Sequence, residues 1–246
     1  NGRSRGLGDV YKRQVKYIII FLCMSPILSY SEPHQYKAVY SFSLKGIEFA
    51  NSEHNLTYDK NRDEWCINTI SYTVNIFSLK EDTRTENSCF TFHKTNNKDL
   101  NIPLLNGYLG FKSYHFERIR SGEISKIVSK VIDSKVVSTL NEKDVRYDDN
   151  SKLDRLTAQI FGYALGEINI NDKGRERKYT FRHIRDDKIK TIFGDTNVKI
   201  IRKDIVNNKR SSLIWYSTDN NHLPVMIEQY RLDKLMFRAT LKSFED

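Results

Sequence analysis

The sequence predicts a mainly β fold, an antiparallel meander with one main α-helix near residues 151–165. Three observations lead there. Apolar and polar residues alternate along segment after segment, the rhythm of half-buried strands. Tight polar clusters, Gly194-Asp195, Asn207–Arg210, Asp219–Asn221 and Asp233-Lys234, join these segments and are short enough to demand antiparallel neighbours. Only Ser151–Leu165 carries a convincing helical stripe.

Residues 1–14 are set aside first. Read back into codons, Ser4–Gln14 looks like the transposase adaptor ligated to DNA for short-read sequencing, so Asn1–Gln14 is read as a translated adaptor. Removing it takes +3 from the formal net charge of +9. The natural start is expected at or just before Val15. Lys16, the apolar run Tyr17–Met24, Pro26 and the small-polar end Ser29–Ser31 then form a cleaved signal peptide over residues 15–31. A bilayer span takes about 20 apolar residues, more than this run offers, so contact with the membrane is expected only during export. Cleavage after Ser31 leaves 215 residues, Glu32–Asp246, carrying +5, a length suited to a single domain over 32–246. The basic residues are spread along the chain, which argues for a solvated surface and against nucleic acid.

The elements follow in order. Tyr36–Leu44 puts Tyr36, Ala38, Tyr40, Phe42 and Leu44 on one face, and Lys45-Gly46 turns it. A second strand runs from Ile47 toward Tyr58, a third covers Trp65–Phe77, and a fourth, Leu79–Phe92, has the charge and threonine content of a sheet edge or a solvent-facing strand. Asn96–Asp99 and Asn106-Gly107 are turn clusters. In Phe111–Leu140, Ile124, Ile127, Val128, Val131 and Ile132 would also make a helical stripe, but β-branched enrichment and the breaker Asp133-Ser134 favour two strands. The helix Ser151–Leu165 opens on a capping box of Ser151 with Asp154 and ends at Gly166 in a left-handed conformation. Strands return at Lys178–Ile184, Ile189–Phe193, Val198–Val206, Ser211–Ser217, Leu223–Arg231 and Leu235–Phe244.

The last third carries a recognisable pattern: Ile192–Val198, Leu213–Asp219, Leu223–Glu228 and Ala239–Ser243. With Tyr36–Tyr40, Gly46 and Leu153-Asp154, it resembles the exported bacterial family called domain of unknown function 3108. The resemblance implies an envelope protein with a strongly curved antiparallel sheet, a half-barrel or open barrel similar to periplasmic lipoprotein carriers, and no agreed activity. Gly46, Asp154, Gly194, Trp215, Asp219 and Pro224 are its motif positions, and they read as architecture. Pro224 lacks an amide hydrogen and suits a strand start, whereas Trp215 suits a core plug.

Chemistry is sparse. None of the six histidines lies at metal-ligand spacing, and no phosphate loop or nucleophile elbow appears, so no catalytic residue, metal or cofactor is expected. Tyr114–Glu117 sets a histidine near a carboxylate, but adjacent strand side chains face opposite ways. Asp186-Asp187 reads as turn chemistry, and Asp148-Asp149 as charge before a helix. In an oxidising periplasm Cys66 and Cys89 can form a cross-strand disulfide or remain two buried thiols. The leading functional reading is a non-enzymatic periplasmic module binding an apolar ligand, a lipid or acyl chain, inside the curved sheet. A scaffold recruiting an envelope protein by strand addition comes second. A hydrolase gathering His115 or His183 with Glu117 or an aspartate comes third.

Overall fold

Strand rhythm becomes a single rolled sheet. The computed structural model describes residues 33–79, 81–93, 108–148 and 151–246; the adaptor-like segment, the signal peptide and the turn clusters at 96–99 and 106–107 lie outside the described residues. The first meander runs β1 (Tyr36–Leu44), β2 (Ile47–Asp59), β3 (Glu64–Thr73), β4 (Asp82–His93), β5 (Tyr108–Arg120), β6 (Glu123–Ile132), β7 (Lys135–Leu140) and β8 (Asp144–Asp148). Next come β9 (Leu153–Asp154) and a short helix, α1 (Arg155–Ile160). The second meander runs β10 (Glu167–Asn171), β11 (Glu176–Thr191), β12 (Gly194–Ile205), β13 (Arg210–Ser217), β14 (Pro224–Arg231) and β15 (Lys234–Glu245).

All 15 strands belong to one sheet, ordered β8 to β1, then β15 back to β9, so the first and last strands pair at its middle. Every ladder is antiparallel except β9 with β10, which is parallel. The two edges, β8 and β9, are therefore consecutive in the chain, and the sheet rolls until its two ends meet through side chains. Asn171 at the end of β10 donates to Ser138 Oγ on β7 (3.1 Å) and accepts from Ser129 on β6 (3.3 Å). A Cβ on Gly174, which has φ +71°, would stand 3.1 Å from Leu140 Cδ1, so the close approach of the two sheet ends needs glycine there.

Inside, Ile67, Phe90, Tyr114, Ile170, Ile214 and Tyr216 are fully buried. Burying a side chain of the Ile or Phe kind contributes about 1.5–3 kcal/mol. The segment after α1 plugs the roll. Phe161 meets Phe90 edge-on at 5.5 Å, and the Tyr216 hydroxyl donates to the Gln159 carbonyl at 2.6 Å.

Several expectations are corrected. The helix is six residues long, because Leu153-Asp154 is taken by the ladder to Ile170-Asn171. Its cap is Asp154, whose Oδ1 accepts from the amides of Leu156 and Thr157 at 2.8 and 3.1 Å, and Gly166 is not left-handed. β3 stops at Thr73; Asn75–Leu79 forms a 3-10 turn instead of a strand end. β4 lies between β3 and β5, well inside the sheet. Phe111–Leu140 holds three strands, turned at Ser121-Gly122 and Asp133-Ser134, all with positive φ. Residues 178–193 form mainly one 16-residue strand, β11, so Asp186-Asp187 sit in a ladder with a bulge beside them.

Candidate functional site

Register decides which side chains point into the roll. On one wall, His54, Thr69 and Glu86 face each other across β2, β3 and β4, and Tyr40, Ser52, Ser71 and Arg84 form the adjacent row across β1 to β4. On the opposite wall Lys203, Ser212, Gln229 and Phe237 line up across β12 to β15. Members of these rows enclose a cavity of about 400 Å³, with Arg155, Leu156 and Gln159 of α1 contributing to its lining. Such a volume lies in the ordinary range for small-ligand pockets, roughly 300–1,000 Å³.

One part of the lining is aromatic. Phe42 packs on Phe237 at 5.3 Å and on Phe49 at 6.4 Å, and Phe49 meets Phe77 of the 3-10 turn at 6.2 Å. Ile76 and Leu79 on that turn are 73% and 89% exposed, leaving an apolar lip beside the aromatic wall.

Another part is charged. Glu86 accepts from the Tyr114 hydroxyl at 2.7 Å and pairs with Arg155 at 3.3 Å. Asp172 lies 3.3 Å from Arg177 and 3.9 Å from Arg155, and Asp82 takes the Arg118 guanidinium on both oxygens. The Arg118 hydrogen bond, with Arg84 adding to it, holds the Asp82 pKa down at about 2. Burial opposes the charge of Arg155, yet Glu86, Tyr114 and Asp172 around it raise its pKa. Lys203 has no ion pair or hydrogen bond among the described residues; its Nζ stands 5.7 Å over the Tyr179 ring. Burial first, and then Arg155, bring its pKa down to about 8.

His54 shares a 3.0 Å hydrogen bond with Ser52, which itself contacts Ser71 at 2.8 Å. Burial pushes the imidazole pKa down to about 4 against the pull of Glu86, so the ring is neutral at pH 7. A ring neutral at pH 7 has no imidazolium proton to give, and a pKa of about 4 makes it a weaker base than an ordinary histidine.

The residues singled out in the sequence lie elsewhere. His115 is exposed on β5, and Glu117 shares its outward face instead of facing the opposite way, because the two are two residues apart on the strand; Glu117 pairs with Lys126 at 3.2 Å. His183 meets Asp186 at 2.9 Å on the exposed surface of β11, so neither histidine enters the cavity. Asp149 and the side chain of Asp148 lie outside the described residues. Cys66 and Cys89 stand directly opposite on β3 and β4, with Cα atoms 4.1 Å apart and sulfurs bonded. With Glu64 they make the one cluster of metal-ligand type among the described residues, and the disulfide occupies both sulfurs.

Motif positions take up turns and caps. Gly46 and Gly194 adopt φ of +80° and +85° in the β1–β2 and β11–β12 turns. Asp219 accepts from the Asn197 amide at 3.0 Å, which ties the β13–β14 turn to β12 and lowers the Asp219 pKa. The Pro224 carbonyl accepts from Tyr40 at 2.8 Å, and Trp215 is buried between Ile214 and Tyr216 at the end of β13. Sequence reasoning missed the cavity residues because Ser52, His54, Thr69 and Glu86 are polar at inward positions. Their only signal was their common spacing along β2, β3 and β4.

No helix among the described residues is long and apolar enough to cross a membrane. No protein-family model matches the chain, and no curated protein matches its sequence. Among solved structures it is similar to a β-barrel-like protein of domain of unknown function 1849 from Brucella abortus, with 8% identity and a TM-score of 0.57 over 87% of this chain and 98% of that one. Weaker likenesses join it to a candidate exported protein with a YmcC-like fold from Bacteroides fragilis (8% identity, TM-score 0.36, 88% and 98% covered) and to a candidate lipoprotein from Parabacteroides distasonis (11%, 0.35, 88% and 97%). At 8% identity the Brucella likeness speaks for architecture alone, and the chain shares the β-barrel-like fold of that protein.

Proposed function

We propose that this chain is a non-enzymatic binding module of the bacterial envelope, holding a ligand with an apolar body inside the rolled sheet. The observation that carries the reading is the aromatic run Phe77, Phe49, Phe42 and Phe237, which leads from the exposed lip into a cavity of about 400 Å³. The lining is not wholly apolar, so the guest is an amphiphile rather than a plain hydrocarbon. A binding rather than catalytic role is supported by the depressed basicity of His54 and by the outward placement of His115 and His183. Export by a cleaved signal peptide, a periplasmic location and membership in domain of unknown function 3108 belong to the same reading. They rest on the Lys16–Ser31 pattern and on the Leu213–Glu228 motif.

Organic extraction of protein purified from a bacterial envelope, followed by lipid mass spectrometry, tests the proposal. A stoichiometric amphiphile is expected; protein that comes out empty and takes up no amphiphile afterwards counts against it. A second reading, recruitment of a protein partner by strand addition, is favoured by one feature. Among the described residues the edge strand β8 has no neighbour on its outer side, and it exposes Val145 and Tyr147. A pull-down yielding a partner that an Arg146→Pro change abolishes, with no lipid in the extract, would favour it.

A further inference from the structure

We propose that the cavity contains an acid-group site, in which the ammonium of Lys203 receives the carboxylate or phosphate of a single-chain amphiphile. This rests on the reading above and narrows it to a ligand class. Four cations line the cavity, Arg84, Arg155, Lys203 and Arg210, against three carboxylates, Asp82, Glu86 and Asp172. Each carboxylate already has an arginine. Asp82 is held by Arg118, Glu86 by Arg155, and Asp172 by Arg177. Lys203 is left with an aromatic ring and no counter-ion among the described residues.

A half-buried lysine with no ion-pair partner keeps part of its desolvation cost, which a guest anion would offset through a charge-assisted hydrogen bond. The surroundings fit such a guest. Ser212 is the direct ladder partner of Lys203, and its hydroxyl bonds Gln229 at 3.2 Å, so polar side chains continue the row that Lys203 begins. Phe237 continues the same row, and beyond it Phe42 and Phe49 offer a path for the chain of the guest toward the lip. Head and tail are thus addressed by different parts of one lining. An uncharged head would leave Lys203 unmatched, and a cationic head would be repelled by it.

The test is calorimetric titration of the delipidated full chain with dodecanoate, dodecyl phosphate, dodecanol and dodecyltrimethylammonium. The acids are expected to bind about tenfold more tightly than dodecanol, with the ammonium weakest. Lys203→Met should erase the preference, the acids then binding no more tightly than dodecanol does to the same variant, and Lys203→Arg should restore it. The tighter of the two acids assigns the head-group as carboxylate or phosphate. Equal affinity for all four probes, or a preference unmoved in a folded Lys203→Met protein, overturns the acid-group site and leaves the apolar-chain reading standing. If none of the probes binds, both fall.

Discussion

Ser88 on β4 donates a 2.6 Å hydrogen bond to Oδ2 of Asp154, 66 residues later in the chain and on the edge strand β9. The same oxygen accepts from the Thr157 hydroxyl at 2.8 Å while Oδ1 caps α1, so one buried carboxylate closes the roll and starts the helix. Asp154→Ala leaves two hydroxyls and two amides without their acceptor, and should cost about 3 kcal/mol in urea denaturation. Asp154→Asn keeps most partners and should cost about half of that. Burial raises the Asp154 pKa against these hydrogen bonds. Its contribution is therefore fully present below the unfolded value near 3.8 and is lost as pH rises through the folded value, so the Asn penalty should shrink as pH rises above 3.8. A penalty independent of pH would contradict the assignment.

His54 gives the opposite slope. Its folded pKa of about 4 lies below the unfolded 6.5, so its contribution is present above pH 6.5 and is lost as pH falls through 4. The loss amounts to at most about 3 kcal/mol, less whatever the cavity opening screens. His54→Gln retains a partner for Ser52 but does not titrate. Its stability curve should be flatter than that of the parent between pH 6.5 and 4, and parallel curves would show that the imidazole is not buried in the cavity.

The regular parts of the fold were legible because their physics is local. Tyr36–Leu44 and Ser211–Arg231 announce themselves through alternation and polar turns, and the structure places strands there. The stripe of Leu153, Leu156, Ile160 and Ala164 predicts a longer helix than forms because it reflects burial against the sheet as well as helical periodicity. Leu153 is held in a two-residue ladder that depends on Ile170, a contact no local pattern encodes. Asp186 and Asp187 have the composition of a turn that would divide β11, yet both lie in the ladder with Lys199 and Val198 of β12. The cavity was hidden for a similar reason. Ser52, His54 and Glu86 look like solvent-facing residues until the roll turns their faces inward.

The Cys66–Cys89 bond closes a loop of 23 residues in sequence. A cross-link of that span stabilises by about 3 kcal/mol through the unfolded chain. The Cys66→Ala/Cys89→Ala double variant should lose that amount, and dithiothreitol should lower the midpoint of the parent but not that of the variant. Equal sensitivity of both proteins to the reductant would refute the assignment.

Lys203 carries its own signature in the unliganded protein. Arg155 from α1, Asp172 after β10, Glu86 from β4 and Tyr179 from β11 are the charged or titratable groups that face it. Its folded pKa of about 8 lies below the unfolded 10.5, so the cost of its charge persists below pH 8 and stability recovers as pH rises toward 10.5. Lys173, also near 8, adds the same slope, so the informative quantity is the difference between parent and Lys203→Met. Lys203→Met should be the more stable protein at pH 7, by on the order of 1–3 kcal/mol, and lose its advantage by pH 10.5.

The central claim, that the rolled sheet houses an amphiphile, is tested most directly by native mass spectrometry of the delipidated chain with dodecanoate, compared with an Ala50→Trp variant that fills the cavity Ala50 lines. The account expects one bound dodecanoate on the parent and none on the folded variant. Binding that survives the filled cavity, or a parent that binds nothing, would contradict it.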